Sequence, residues 1–316
     1  MTFPRSRFAA AVLAGTGCVL PTIALYGQAP KTKDAAAANS ISAADQVANE
    51  PVANATDGKQ RAVKSRSELL AAERFALIRR RVAAAEIRSD EADFPTRFAA
   101  KPIFRYSDLA RGHVAAAVWK LGEEGRPKAI LSTELDRFST GRPCICHEYI
   151  SLTTTPFSVV IDGMRWTPAG TLYEFKPIPD APAPEETPRR RLFQIRELAN
   201  RFAAREVEKN EKIELRLLPQ PVDRYVPSKA ERADGAIFFF TFGTNPEVML
   251  LIESDGEQWS YAAGRMTGAE VVVLKIDEAV AWQGEPLHNV PDSPHTGFVA
   301  PIEIPGISAD GREVEE

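Results

Sequence analysis

The chain has 316 residues, which is enough for one large domain or two ordinary ones. Hydrophobic residues make up 44% and charged residues 26% of the sequence, a balance typical of globular proteins. The formal net charge of −4 gives no electrostatic reason to expect nucleic-acid binding, and three cysteines are too few for a disulfide scaffold.

The N-terminus has the layout of a secretory signal. Residues 1–7 carry two arginines and no acid, residues 8–26 are uncharged, and Thr22 and Ala24 form a small-x-small cleavage pattern. We therefore expect a signal peptide at 1–24 and export to the periplasm or cell envelope. The alternative is an uncleaved anchor, because this apolar stretch can nearly span a bilayer. Only in that case would the protein be attached to a membrane.

The composition of the remaining chain indicates which segments are folded and which are disordered. Residues 25–62 are rich in small and polar side chains and predict a disordered linker. Residues 287–316 combine prolines and acids and predict a disordered tail. Between them we expect two folded units, 63–178 and 187–286, joined by a proline-rich linker at 179–186.

The first helix is predicted to begin at Ser65, because Ser65 and Glu68 form a capping-box pattern. Short strands separated by turn residues follow, as in antiparallel hairpins: 114–121, 127–135, 148–153 and 157–161. A second helix is predicted from Thr187, a cap residue followed by proline. The second half then repeats the short strands: 236–242, 248–253, 259–266 and 270–276.

The two halves therefore have the same order of predicted elements. A shift of 119 residues aligns three kinds of side chain as the pairs Arg105–Arg224, Tyr106–Tyr225 and Glu134–Glu253. From this register we predict an α+β fold made of two diverged copies of a helix plus antiparallel β-meander unit, in a pseudo-twofold arrangement.

The aligned residues are also the candidate structural or anion-binding residues: Arg105, Tyr106, Glu134, Arg224, Tyr225 and Glu253. We favour one ion pair in each unit, between the arginine and the glutamate, which would hold the first strand to its sheet. Charges are costly to bury alone, so each partner would offset the desolvation of the other. The alternative is that the arginines contact an anionic ligand.

Few patterns in the sequence indicate catalysis. It contains four histidines and shows no phosphate loop, nucleophile elbow or His-Glu-x-x-His motif. The segment Cys144-Ile145-Cys146-His147 resembles a metal cluster, but on a strand the two cysteines would face away from His147. A zinc site would then need a further ligand from elsewhere. We therefore predict no catalytic residue, no cofactor and no metal.

Four segments carry a resemblance to a known family: Arg-Tyr-Ser-Asp at 105–108, the proline-rich 175–184, Leu-Leu-Pro-Gln-Pro-Val-Asp-Arg-Tyr at 217–225, and 243–251. Over most of residues 100–286 the chain resembles an uncharacterised family of exported proteins from planctomycete-type bacteria. The resemblance implies no activity, and the Cys-Ile-Cys-His segment is not part of its pattern.

We expect a binding or interaction protein without catalytic activity in the cell envelope. Its partner would be an envelope protein or a small ligand, and not nucleic acid. The alternative is a hydrolase outside the cytoplasm, with a site between the two units that uses scattered Asp, Glu, Arg and Tyr residues.

Overall fold

The computed structural model describes residues 65–137, 143–168, 170, 173–208, 211–266, 271–284, 297–303 and 307. The predicted signal peptide at 1–24 and the predicted linker at 25–62 lie outside the described residues. None of the helices in the described part of the chain is long and apolar enough to cross a membrane.

The described chain is mostly β-structure, so the predicted α+β class is wrong. It contains two helices, α1 (Arg66–Ala83) and α2 (Pro188–Ala199), and its large antiparallel sheets are curled. The predicted unit, a helix plus one meander repeated about a pseudo-twofold axis, is wrong as well. Several strands have only two or three residues, which is too short to show a period of two in the sequence.

Both helices begin where their capping residues predict. Ser65 Oγ accepts a hydrogen bond from the backbone N–H of Glu68, and Glu68 accepts one in return from the backbone N–H of Ser65 at 2.7 Å. Thr187 caps α2, and Pro188 occupies its first turn. These contacts satisfy backbone donors that a helix start leaves open.

The described strands, in chain order, are β1 (Glu86–Arg88), β2 (Phe104–Asp108), β3 (His113–Lys120), β4 (Ala129–Arg137), β5 (Pro143–Ser151), β6 (Ser158–Ile161), β7 (Met164–Trp166), β8 (Lys176–Pro177), β9 (Phe202–Glu208), β10 (Glu211–Leu217), β11 (Asp223–Tyr225), β12 (Asp234–Phe242), β13 (Asn245–Ser254), β14 (Trp259–Arg265), β15 (Val271–Ile276), β16 (Ala279–Gly284) and β17 (Gly297–Glu303).

These strands form three antiparallel sheets. The five-stranded sheet has the order β17-β5-β4-β3-β2, and a small sheet has the order β1-β6-β7. The nine-stranded sheet has the order β16-β15-β9-β10-β12-β13-β14-β8, with β11 paired to β12. In the described residues, β2–β5 and β12–β14 pair in chain order, whereas β17 joins β5 and β15 joins β9 although these partners are far apart in sequence.

The predicted disordered tail at 287–316 contains one of these strands. Strand β17 pairs along its length with β5, from Gly297 opposite Ile150 to Glu303 opposite Cys144. The folded part of the chain therefore extends past residue 286, where composition had placed its end.

Three apolar cores hold the layers together. One lies on the α1 side of the five-stranded sheet and includes Ile78 and Trp119. A second lies on the α2 side of the nine-stranded sheet and includes Ile195 and Phe238. The central core joins the two large sheets through residues of both: Tyr106, Ala116, Val118, Ile130, Ile150, Leu152, Tyr225, Ile237, Phe239, Met249, Leu251, Ala262 and Met266.

Strand β13 lies between two of these cores and is buried at every residue. Leu250 and Ile252 face the α2 side, whereas Met249 and Leu251 face the central core. Its nearly continuous apolar sequence is thus the pattern of a strand covered on both faces.

Candidate metal centre

One face of β4 changes from apolar to polar along the strand. Alternate residues of a strand share a face, and Ile130 on this face belongs to the central core. Ser132, Glu134 and Asp136 continue the same face with exposures of only 1%, 3% and 1%. Buried polar groups need partners, so this end of the central layer has a chemistry distinct from the rest.

His113 joins Glu134 and Asp136 at the polar end. It lies opposite Asp136 in the β3–β4 ladder, where the register is irregular. Its Nδ1 is 2.7 Å from Oδ1 of Asp136 and 3.4 Å from Oε2 of Glu134. One ligand atom from each of the three residues lies within 4.8 Å of the other two. An imidazole nitrogen and two carboxylates therefore converge on one small volume.

The charges in this cluster shift one another's protonation. Burial alone would lower the pKa of His113, but the carboxylates of Glu134 and Asp136 outweigh burial and raise the pKa to about 9. Burial raises the pKa of Glu134, and the charge of Asp136 acts in the same direction while His113 opposes it. Near neutral pH His113 therefore carries a proton that a metal ion would have to replace.

Tyr106 holds the carboxylate of Glu134 in place. Its hydroxyl donates a hydrogen bond to Oε1 of Glu134 and lies 3.1 Å from Oγ of Ser132. Burial and the charge of Glu134 raise the pKa of Tyr106, which keeps the phenol protonated as a donor. Oε2 of Glu134 is left directed towards His113.

Asp136 is the least satisfied member of the cluster. Neither of its carboxylate oxygens accepts a hydrogen bond from the described residues. Its contact with Nδ1 of His113 brings opposite charges together but lacks the geometry of a hydrogen bond. A carboxylate that is 1% exposed and has this one ion pair, with Oδ2 without a donor among the described residues, is costly to maintain.

Arg111 connects this polar end to the nine-stranded sheet. It lies on the turn between β2 and β3, and its Nη1 pairs with Oε1 of Glu247 on β13. Nη2 lies 3.5 Å from Oε1 of Glu206 on β9. The cluster around His113 therefore sits where both large sheets contribute charged side chains.

The predicted pairs of Arg105 with Glu134 and of Arg224 with Glu253 are replaced by other contacts. The guanidinium of Arg105 lies over the ring of Phe75, 3.6 Å from its centroid. Glu253 instead pairs with Arg126, with Nε–Oε1 at 2.7 Å and Nη2–Oε2 at 2.5 Å.

Arg224 has a different carboxylate partner. It donates from Nε to Oδ1 of Asp234 at 2.9 Å and from Nη2 to Oδ2 at 2.5 Å. Arg191 of α2 donates to the same Oδ2 at 2.9 Å. Asp234 lies on β12, so its carboxylate links α2 and β11 to that strand.

The tyrosines, rather than the arginines, contact the predicted glutamates. Tyr225 donates to Oε1 of Glu253 at 2.6 Å, as Tyr106 does to Oε1 of Glu134. Of the six predicted residues, the structure therefore brings together two Tyr–Glu pairs. It places Arg105 and Arg224 elsewhere.

The Cys-Ile-Cys-His segment is divided between the two faces of β5. Cys146 lies opposite Glu134 and Cys144 opposite Asp136, so both face the central layer, and neither forms a disulfide. His147 faces the other way, with Nε2 2.9 Å from Oδ2 of Asp162 and Nδ1 3.0 Å from Oγ1 of Thr133. The four residues therefore do not converge on one ion.

His113 and Asp136 were not among the residues predicted for a site. Glu134 lies in the predicted strand 127–135 and Asp136 directly follows it, and their spacing of two signals that their side chains share a face of the observed strand. His113 lies beside them because β3 pairs with β4, and no local sequence pattern predicts that pairing.

Comparisons of the chain with protein-family models, with curated proteins and with solved structures gave no match. The geometry of the site is therefore the basis for its chemistry. One imidazole and two carboxylates suit a divalent transition-metal ion, and such a set leaves room for a fourth ligand.

Proposed function

We propose that the protein is a metal-binding protein, and that His113, Glu134 and Asp136 hold a divalent transition-metal ion. The observation that carries the proposal is the carboxylate of Asp136, which is buried and accepts no hydrogen bond from the described residues. A divalent cation that replaces the proton of His113 would contact the carboxylates of Glu134 and Asp136 and would offset both buried negative charges.

The ligand types favour zinc among the divalent ions. An imidazole nitrogen suits zinc, copper, iron and nickel, whereas calcium and magnesium prefer sites made only of oxygen ligands. Zinc accepts histidine together with carboxylates at about 2.0–2.2 Å. Tyr106 would fix the orientation of Glu134, which is the role of hydrogen bonds behind a metal ligand.

The burial of the cluster favours binding over catalysis. The side chains of His113, Glu134 and Asp136 are 13%, 5% and 1% exposed. A catalytic ion needs an open coordination position that substrate can reach. A buried ion between strands that face the second sheet acts instead by stabilising the fold, as structural metal ions do.

We also propose that this function is performed outside the cytoplasm. The basic start and uncharged stretch of residues 1–26 support export. An envelope protein or a small ligand remains the proposed partner of the metal-bound form.

The experiment is thermal unfolding of the chelator-treated protein with and without Zn²⁺. At a free Zn²⁺ concentration one hundred times the dissociation constant, binding to the folded state adds about 2.7 kcal/mol. Asp136→Asn should abolish this gain. Without metal the same variant loses the ion pair with His113 but also the repulsion between Asp136 and Glu134, so its stability should change by less than the Zn²⁺ response.

Asp90→Asn is the matched control, since Asp90 is exposed and distant in the chain from the cluster. It should keep the full Zn²⁺ response. If Zn²⁺ stabilises the Asp136→Asn variant as much as the parent, or stabilises neither, the proposed site is refuted.

A further inference from the structure

A cleft of about 450 Å³ lies at the opposite end of the central layer. Its wall draws on both large sheets, with Leu152 following β5, Leu251 on β13 and Ala262 on β14. Its volume falls within the 300–1,000 Å³ typical of small-molecule sites. Apart from this cleft, the middle of the central layer is filled by apolar side chains.

The floor of the cleft is apolar. Leu152, Leu251 and Ala262 are members of the central core with exposures of 8%, 1% and 2%. Tyr173 and Phe175 are partly buried against the same core and also line the cleft. Two aromatic rings beside aliphatic side chains suit a flat apolar ligand.

Lys128 supplies a positive charge at the same place. It precedes β4 and, by strand alternation, shares a face with Ile130 of the central core. Lys128 lines the cleft, is half-buried and has no ion-pair partner among the described residues. Arg126, also in the wall, is already paired with Glu253 and stacked 4.6 Å from the ring centroid of Phe175.

A hydroxyl group lines the same cleft. Oγ1 of Thr153 accepts a hydrogen bond of 3.1 Å from the backbone N–H of Thr155, which leaves its O–H free to donate to a ligand. Glu124 is the opposing charge in the wall, but it is exposed, so solvent weakens its effect.

We propose that this cleft binds a small aromatic anion, a carboxylate or sulfonate. Its ring would lie against Tyr173 and Phe175, and its anionic group would contact the ammonium of Lys128 and the hydroxyl of Thr153. The site is separate from the metal cluster: Lys128 and Asp136 stand at opposite ends of the same face of the β4 segment.

The test uses a pair of fluorescent probes on the full chain with chelator present, so that it does not depend on metal binding. The first probe is 8-anilinonaphthalene-1-sulfonate, and the second is N-phenyl-1-naphthylamine, which has the same rings without the sulfonate. We expect one saturable site for the anionic probe and at least tenfold weaker binding of the neutral probe.

Variants then locate the site. Lys128→Gln should weaken the anionic probe about tenfold and leave the neutral probe unchanged, because a charge-assisted hydrogen bond is lost. Glu124→Gln should strengthen the anionic probe about twofold. Lys212→Gln, an exposed lysine on β10, should change neither.

Two results would overturn the inference. One is equal affinity for the two probes, which would show an apolar cleft without anion recognition. The other is an unchanged affinity of the anionic probe for Lys128→Gln in a variant whose circular dichroism matches the parent. A Lys128→Arg variant that retains the anionic probe would support the role of the charge.

Discussion

Arg126 and Glu253 join the two large sheets through a two-point ion pair, with the donor nitrogens at 2.7 and 2.5 Å from the carboxylate oxygens. Arg126 lies on the connection between β3 and β4, and Glu253 lies on β13. Tyr225 donates to the same carboxylate. This contact is formed only when both sheets are in place, so it couples their stability.

Glu253→Gln should lower the free energy of unfolding by about 2 kcal/mol. Glu253 is 5% exposed, and its loss of charge leaves Arg126 without a partner. The cost stays below that of a fully buried pair, because the side chain of Arg126 is 40% exposed. Urea denaturation measures the change.

A double-mutant cycle identifies the partner of Glu253. Arg126→Ala and Glu253→Gln together should cost less than the sum of the single changes, with a coupling of at least about 0.5 kcal/mol. Arg224→Ala with Glu253→Gln should be additive. Coupling to Arg224 and not to Arg126 would contradict the observed pairing.

Asp234→Asn should destabilise the protein by about 3 kcal/mol. Asp234 is 2% exposed and accepts hydrogen bonds from both Arg191 and Arg224, so its neutralisation leaves two cations with weaker partners. Asp277→Asn is the comparison, because Asp277 pairs with Arg201 while 53% exposed. That change should cost much less, because solvent screens the exposed pair. Equal costs for the two variants would argue against the bridging role of Asp234.

Two buried histidines should give the metal-free protein opposite pH dependences on the two sides of pH 6.5. Burial lowers the pKa of His147 despite the opposing effect of Asp162, with Arg81 also favouring the neutral ring. Its contribution is complete above 6.5, the unfolded value, and is lost as pH falls towards the folded pKa. The pKa of His113 is raised to about 9, so its contribution is complete below 6.5 and is lost as pH rises through 9.

Two variants separate the loss of stability below pH 6.5 (the acid limb) from the loss above it (the alkaline limb). Urea denaturation at a series of pH values measures both. His147→Gln should flatten the acid limb, and His113→Gln should flatten the alkaline limb, which spans roughly 3 kcal/mol at most. An alkaline limb that persists in His113→Gln would show that another group is responsible.

Gly235→Ala should cost about 3 kcal/mol. A Cβ at this position would lie 2.6 Å from Cε2 of Tyr225, so the ring would have to move and its hydrogen bond to Glu253 would be disturbed. Gly163→Ala is the control, since Gly163 has φ +78° but no atom within 4 Å of the added Cβ. Gly163→Ala should cost only about 1 kcal/mol, the free energy needed to hold a residue with a Cβ at positive φ. Thermal unfolding compares them, and an equal loss would contradict the steric explanation.

The local parts of this fold could be predicted from the sequence. Ser65 with Glu68, and Thr187 with Pro188, specify helix starts through contacts between near neighbours in the chain. The pairings of β1 with β6 and of β5 with β17 could not be predicted, because they join segments far apart in sequence. For that reason the predicted fold class is wrong, although most of the predicted strands are present.

The contacts of the candidate site could likewise be predicted only in part. The alignment of Arg-Tyr and Glu in both halves selected residues that do occupy related contacts. Adjacent residues of a strand face opposite sides, so Tyr106 reaches Glu134 while Arg105 reaches Phe75. That alternation could have corrected the choice of partner. The meeting of His113 with Asp136 required the register of β3 on β4.

The pairing of β17 with β5 has a practical consequence for shortened forms of the protein. A chain that stops before Gly297 would leave the main-chain donors and acceptors of β5 uncovered along the rim that β17 now occupies. An exposed strand edge of this kind is a template for pairing with strands of other molecules. Removal of the last twenty residues should therefore yield material that self-associates, even though the removed segment carries five acidic residues and only one basic residue.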